Sequence, residues 1–188
     1  IMGRPNWLRI SKDLTHAVPL IMKDWNMSDD FKECTVYMRK GAKWSDGVPF
    51  TSAAVAWYWQ HVLVNTELTP AAPASWSAKK TLAELATPDD YTVVLKFVAP
   101  NPFFGFNVTR SSPFVPGHYL EQFHADFVDQ DTLAKMVKEM GVDSWAAVYA
   151  DRDTWYMNPE RPSMGSWLAR NQLSEELFEM ERNPYFFQ

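Results

Sequence analysis

Apolar and polar residues alternate with a period of two over residues 35–39, where Val36 and Met38 share one face and Thr35, Tyr37 and Arg39 the other. That alternation predicts a half-buried strand. Beyond Thr51 the period changes: Val55, Tyr58, Trp59, Val62 and Leu63 recur at the i, i+3, i+4, i+7, i+8 spacing of one helical face. A helix from Ser52 to about Val64 is expected, with Thr51 as its N-cap. Between strand and helix lie two tight turns, one at Gly41 and one built on Ser45-Asp46-Gly47. Upstream, residues 7–10 favour a short strand, an apolar patch over 17–22 leads to Trp25, and Ser28-Asp29-Asp30 forms a polar turn.

Downstream, Pro70 and Pro73 each forbid a continuing helix, so residues 69–76 are expected as an irregular loop carrying an exposed Trp76. Pro88-Asp89-Asp90 turns the chain into residues 91–97, rich in β-branched and aromatic side chains and therefore a strand, which Pro100 and Pro102 end. Residues 103–106 suggest a short buried helix and residues 110–113 a polar loop. Leu133, Met136, Val137 and Met140 repeat the helical spacing, with Asp131 as N-cap and Gly141 just past the end. Residues 150–166 show no period and are expected as an exposed loop, and alternation over 177–182 predicts a closing strand. There is no internal repeat and no low-complexity tract. The fold class that follows is α+β, with residues 1–188 as a single unit.

Composition narrows the function. With 188 residues, 46% hydrophobic and 22% charged, the chain supports one substantial core and hardly two. A net charge of -5 gives no general attraction for phosphate backbones or anionic lipid, so no nucleic-acid partner is expected. Cys34 is the only cysteine, which excludes an internal disulfide and a zinc cage of cysteines; its simplest role is a small apolar group on a strand. No apolar run reaches the roughly 18 residues of a membrane span. The opening Ile1-Met2-Gly3 lacks a basic-then-apolar leader, and residues 179–187 read as a strand running into a turn, so an excised piece of a longer protein is expected. Aromatic content of 15% exceeds what a minimal core needs, which leaves two uses for the rings: filling a large core, or facing a groove or a partner domain.

Candidate chemistry is sparse. Glu121, His124 and Asp126 with His118 form a possible metal-ligand cluster, but their spacing is not the i, i+4 of a helical zinc site, and no metal is expected. His16 and His61 look isolated. Asp89-Asp90 and Glu175-Glu176 are adjacent carboxylates of the kind that sit solvated at turns, and no Gly-x-Ser-x-Gly nucleophile motif occurs. No catalytic residue and no cofactor are therefore expected. The Asn26-Met27-Ser28 and Asn107-Val108-Thr109 triplets fit the N-glycosylation pattern by chance.

Several motifs, taken in order, resemble those of the extracellular solute-binding proteins of peptide/nickel-type ABC importers, family 5. They are Lys23-Asp24-Trp25, Ser28-Asp29-Asp30, Met38-Arg39-Lys40-Gly41, the run from Lys43 through Trp44-Ser45-Asp46-Gly47-Val48-Pro49-Phe50 to Thr51, Asp89-Asp90-Tyr91-Thr92-Val93, Pro116-Gly117-His118-Tyr119-Leu120, and Glu181-Arg182-Asn183-Pro184-Tyr185-Phe186. One departure is Ser52-Ala53-Ala54, where the family places acidic residues that favour a helix start.

The resemblance implies part of the first lobe of a two-lobed periplasmic-binding-protein-like fold of the peptide-binding class, with mixed or antiparallel strands and packed helices. It implies a protein several hundred residues long that closes on a solute by a hinge, with the second lobe supplied by the same full-length chain. The implied partners are an oligopeptide or other small solute and the permease subunits of an ABC transporter. The implied location is periplasmic or extracellular, and any lipid anchor would sit on a cysteine upstream of residue 1. Loops after the first helix and after the second strand face the cleft in that family, which makes Trp76, Arg110, Ser111 and Ser112 the implied ligand contacts. The residues alone leave a second class open: an aromatic-surfaced carbohydrate- or protein-interaction module that works by itself.

Overall fold

The computed structural model describes residues 5–186. Strand β1 (Leu8–Ile10) pairs antiparallel with β2 (Ala17–Pro19), and β3 (Met22–Met27) runs into β4 (Glu33–Met38) through the Ser28-Asp29-Asp30 turn. In β4 the expected alternation is realised: Cys34, Val36 and Met38 are buried while Tyr37 faces solvent. Helix α1 (Ser52–Tyr58) follows and continues into a π-helical turn, Trp59–Leu63, so the helical run covers the expected span. A small hairpin of β5 (Ser77–Ala78) and β6 (Thr81–Leu82) leads to β7 (Glu84–Asp89) and β8 (Thr92–Lys96).

In the second half helices outnumber strands. It comprises α2 (Phe104–Asn107), which passes into a 3-10 turn at Val108–Arg110, then α3 (Gly117–Leu120), α4 (Gln130–Met140) and α5 (Trp145–Arg152). Strands β9 (Trp167–Ala169) and β10 (Met180–Arg182) close the described chain as an antiparallel pair.

The main sheet has the order β3-β4-β8-β7, and every pairing in it is antiparallel. Val36 lies opposite Val93 and Cys34 opposite Leu95, so one sheet face carries an unbroken apolar stripe. Helix α1 packs across β7 and β8 on that face, burying Val55 and Trp59. The core there is built from rings set edge to face. Trp76 stands 5.3 Å from Trp7, 5.7 Å from Phe104 and 6.0 Å from Trp59, centroid to centroid, the separations at which aromatic pairs attract. A smaller cluster of Val62, Val115, Leu120 and Tyr149 lies between the π-helical turn and α5.

Several expectations need correction. Thr51 occupies the N-cap position but its side chain makes no capping bond; instead the Ser52 N–H donates to the Asp90 carbonyl at 2.8 Å, so the β7–β8 turn satisfies the helix start. In α4 the cap is Asp129, whose carboxylate accepts from the Thr132 N–H at 2.9 Å, and Asp131 lies inside the first turn. Gly141 follows α4 at φ 64°, as the sequence predicts. Residues 150–166 are not an exposed loop: they begin inside α5, and Asn158, Arg161, Ser163 and Met164 are buried. The short helix at 103–106 is buried on one side only, through Phe104 and Gly105, while Phe103 and Phe106 project outward.

Gly105 shows how tight the junction of helix and sheet is. A Cβ at this position would overlap the Trp25 ring of β3. Gly105→Ala is therefore expected to cost about 1 to 3 kcal/mol in urea unfolding, the range of overpacked cores, and Trp25→Leu in the same chain to recover part of it. Additive losses in the double variant would contradict the steric account.

Candidate functional site

Two groups of side chains carry the sequence motifs, and they differ in kind. The first is a junction around the Trp44-Ser45-Asp46-Gly47 turn. Gly47 sits at φ 87°, which lets its N–H reach the Trp44 carbonyl at 2.9 Å and close the turn. The Ser45 N–H donates to the Ser163 carbonyl at 2.9 Å, and the Ser163 N–H donates back to Ser45 Oγ at 2.9 Å. Asp46 Oδ2 meets His118 Nε2 at 2.7 Å. Tyr185 lays its ring beside Gly47, with Lys43 Nζ 5.5 Å above the ring centre. Asn183 is buried; its side-chain amide donates to the Gly165 carbonyl at 2.9 Å, and its oxygen accepts from the Tyr185 N–H at 2.9 Å. Residues separated by more than a hundred positions thus meet in one hydrogen-bonded knot.

The second group is the loop after β8. Trp76 is not exposed: it is 1% accessible, and its indole Nε1 donates to Ser111 Oγ at 2.9 Å. Ser112 is also buried, donating to the Pro5 carbonyl at 2.8 Å. Ser111 is half-exposed and Arg110 is exposed. Among the described residues no acceptor meets the Arg110 guanidinium. The structure therefore places all four implied contacts on one loop and its support, with Arg110 and Ser111 reaching solvent and Trp76 and Ser112 holding them from below. The burial of Trp76 follows from its place between Trp7, Trp59 and Phe104, which the proline-rich spelling of residues 69–76 does not reveal.

The candidate metal cluster is dispersed. His118 turns to Asp46, Glu121 is exposed, and His124 with Asp126 meets His61, which is not isolated as expected. His61 Nδ1 lies 2.6 Å from Asp126 Oδ2. Ligand atoms of His61, His124 and Asp126 lie within 4.8 Å of one another, yet both nitrogens of His124 are occupied. Nε2 faces the His61 carbonyl at 2.8 Å, and Nδ1 accepts from the Asp126 N–H at 3.1 Å, an arrangement that suits the neutral Nε2-protonated tautomer.

The remaining titratable groups serve local structure. Asp89 accepts from the Tyr91 N–H at 2.8 Å, and that bond, with one from Thr92, holds its carboxyl below the usual range. Burial pushes the Cys34 thiol up to about 12, in keeping with an apolar role.

Residues 16–187 match the sequence model of the family described as bacterial extracellular solute-binding proteins, family 5 Middle. The chain is 26% identical over 184 residues to the periplasmic alpha-galactoside-binding protein of Rhizobium meliloti (strain 1021), covering 95% of this chain and 24% of that protein. It is 26% identical over 182 residues to the periplasmic oligopeptide-binding protein OppA of Haemophilus influenzae, covering 90% and 29%.

Among solved structures, an oligopeptide-binding protein OppA superposes with a TM-score of 0.89 at 27% identity, over 98% of this chain and 29% of that one. The periplasmic binding protein MelB from agrobacterium fabrum C58, in complex with stachyose, gives a TM-score of 0.74 at 25% identity over 98% and 27%. The chain spans 24% and 29% of the length of the two curated relatives named here.

Two measurements check the geometry. Asn183→Ala strips a buried donor from two carbonyls and is expected to cost about 1 to 3 kcal/mol in chemical denaturation, whereas Glu181→Ala on the exposed strand should stay within about 0.5 kcal/mol. Comparable costs for the two would break the assignment of Asn183 to the knot.

The second concerns pH. Burial among Trp57, Phe127, Trp145 and Tyr149 lowers the His124 pKa from its ordinary 6.5, against the opposing pull of the His61 carbonyl and Asp126. A histidine that prefers to stay neutral when folded contributes stability above its unfolded pKa and loses it as pH falls. The unfolding temperature should therefore drop between about pH 7.5 and about pH 5.5, and His124→Asn should flatten that dependence. An identical slope in the variant would remove His124 as its source.

Proposed function

This chain belongs to the bacterial extracellular solute-binding proteins of family 5, and from that premise we propose that it is part of a protein that captures oligopeptides outside the cytoplasmic membrane. The captured solute is presented to the permease subunits of an ABC importer, without chemical change. The observation that carries the reading is the family match over residues 16–187 together with the superposition on an oligopeptide-binding protein at a TM-score of 0.89. The Arg110–Ser111 edge supports it, since a guanidinium that meets no acceptor among the described residues, beside a hydroxyl, suits a peptide carboxylate.

A solute held between two lobes touches both, so one wall offers a fraction of the contacts and of the desolvation. The full-length protein, once hinged shut, is the form that binds. Periplasmic or extracellular placement follows from the same family reading and accords with the periplasmic relatives.

A second reading has its own support: one relative is named for alpha-galactosides and one structural neighbour holds stachyose. In that reading the same edge hydrogen-bonds sugar hydroxyls rather than a charged terminus. The family match favours either solute over a module acting alone.

Titration calorimetry separates these. The full-length protein is expected to bind short peptides, with stachyose giving no heat, and the 188-residue chain by itself to bind peptides weakly or not at all. Micromolar peptide binding by the isolated chain would overturn the two-walled account, and stachyose binding without peptide binding would replace the peptide reading with the sugar one.

A further inference from the structure

We infer that Phe103, Phe106 and Arg110 form a single recognition face for the carboxyl end of a peptide, with the two rings receiving an apolar or aromatic terminal side chain and Arg110 the carboxylate. This rests on the peptide reading above and names the chemistry of its ligand.

The three positions follow the i, i+3, i+7 spacing of one helical face, and the fold uses them that way. Phe103 is 71% and Phe106 51% exposed, and Arg110 is exposed as well. The opposite face, Phe104, Gly105, Val108 and Thr109, is buried against Trp25, Trp76 and Phe97. Two phenylalanines so open to water, in line with a cation that meets no acceptor among the described residues, gain nothing for the lobe itself. Scattered exposed apolar residues are common, but here two exposed rings and a charge that meets no acceptor among the described residues follow one another along a single helical stretch, from the cap of α2 to the end of the 3-10 turn.

The platform is held firmly enough to be specific. Thr109 Oγ1 donates to the Phe106 carbonyl at 2.7 Å, and Asn6 donates its side-chain amide to the Thr109 carbonyl. The Phe106 and Asn107 N–H groups both donate to the Phe103 carbonyl, at 3.1 and 2.9 Å. Next to Arg110, Ser111 accepts from Trp76, which leaves its own hydroxyl proton to donate outward to the same anion. A forked cation, a hydroxyl donor and adjacent rings complement a C-terminal aromatic residue; a neutral sugar would leave the positive charge without a counterpart.

The experiment uses calorimetry on the full-length protein with Ala-Ala-Phe, its C-terminal amide, Ala-Ala-Gly and stachyose. The free acid is expected to bind about 10- to 100-fold more tightly than the amide, the range of one charge-assisted contact. Arg110→Gln should erase that preference and Arg110→Lys retain part of it. Phe106→Ala should weaken Ala-Ala-Phe more than Ala-Ala-Gly. All three positions are exposed, so unchanged thermal unfolding of each variant confirms that the fold is intact. Equal affinity for acid and amide in the wild type, or a preference that survives Arg110→Gln, overturns the inference while leaving peptide capture standing. Stachyose binding without peptide binding overturns both.

Discussion

The reciprocal pair of hydrogen bonds between Ser45 and Ser163 is the constraint on which the lobe's arrangement depends. It ties the turn after β4 to the segment that leads into β9, across 118 positions of sequence. Neither bond is strong alone, but both are backbone-anchored, and each restricts the geometry of the other. Around them Asp46 reaches His118, Gly47 admits Tyr185, and Asn183 saturates the carbonyl of Gly165. Such a knot resists piecemeal loss, since removing one member strands buried polar atoms of the next.

This explains why the motifs that announce the family say so little about the solute. Trp44 through Gly47, His118 and Asn183 spend polar atoms on one another and on neighbouring structural groups such as Val48, Ser163 and Gly165. What they secure is the frame from which the β8–α3 loop projects. On the proposed reading, ligand-facing chemistry falls instead to Arg110, Ser111, Phe103 and Phe106, which sit in a stretch whose spelling is ordinary.

Much of the architecture was legible in the sequence because it is local. The alternation of β4, the helical stripe of α1 with its π-helical turn and the glycine-terminated α4 all show in residue order, and the structure has them close to the expected bounds, though α4 is capped by Asp129 and not Asp131. What escaped depends on distant partners. Strand β7 carries Pro88 and few β-branched residues, and is a strand because β8 pairs with it and because it lies at a sheet edge, where the register shifts near the proline. Strand β9, three residues long, exists only through β10.

Helix α5 did leave a signal: Ser144 ahead of an alanine-rich run caps it through the Ala147 N–H at 3.2 Å. The site was half legible. Arg110 and Ser111 reach solvent, but the burial of Trp76 is decided by three rings from other segments, and no spacing rule encodes that. The alignment of Phe103, Phe106 and Arg110 was present in the spelling at helical intervals, masked by the expectation that a Phe-rich turn would bury itself.

The covered position of Cys34 in β4 has a practical consequence. With its one native thiol sealed inside the sheet and held in the protonated form, the chain offers maleimides and other alkylating reagents no target of its own. A cysteine introduced at an exposed position of these 188 residues would then be their one reactive handle, and a fluorophore attached there would report on this segment from a single known place.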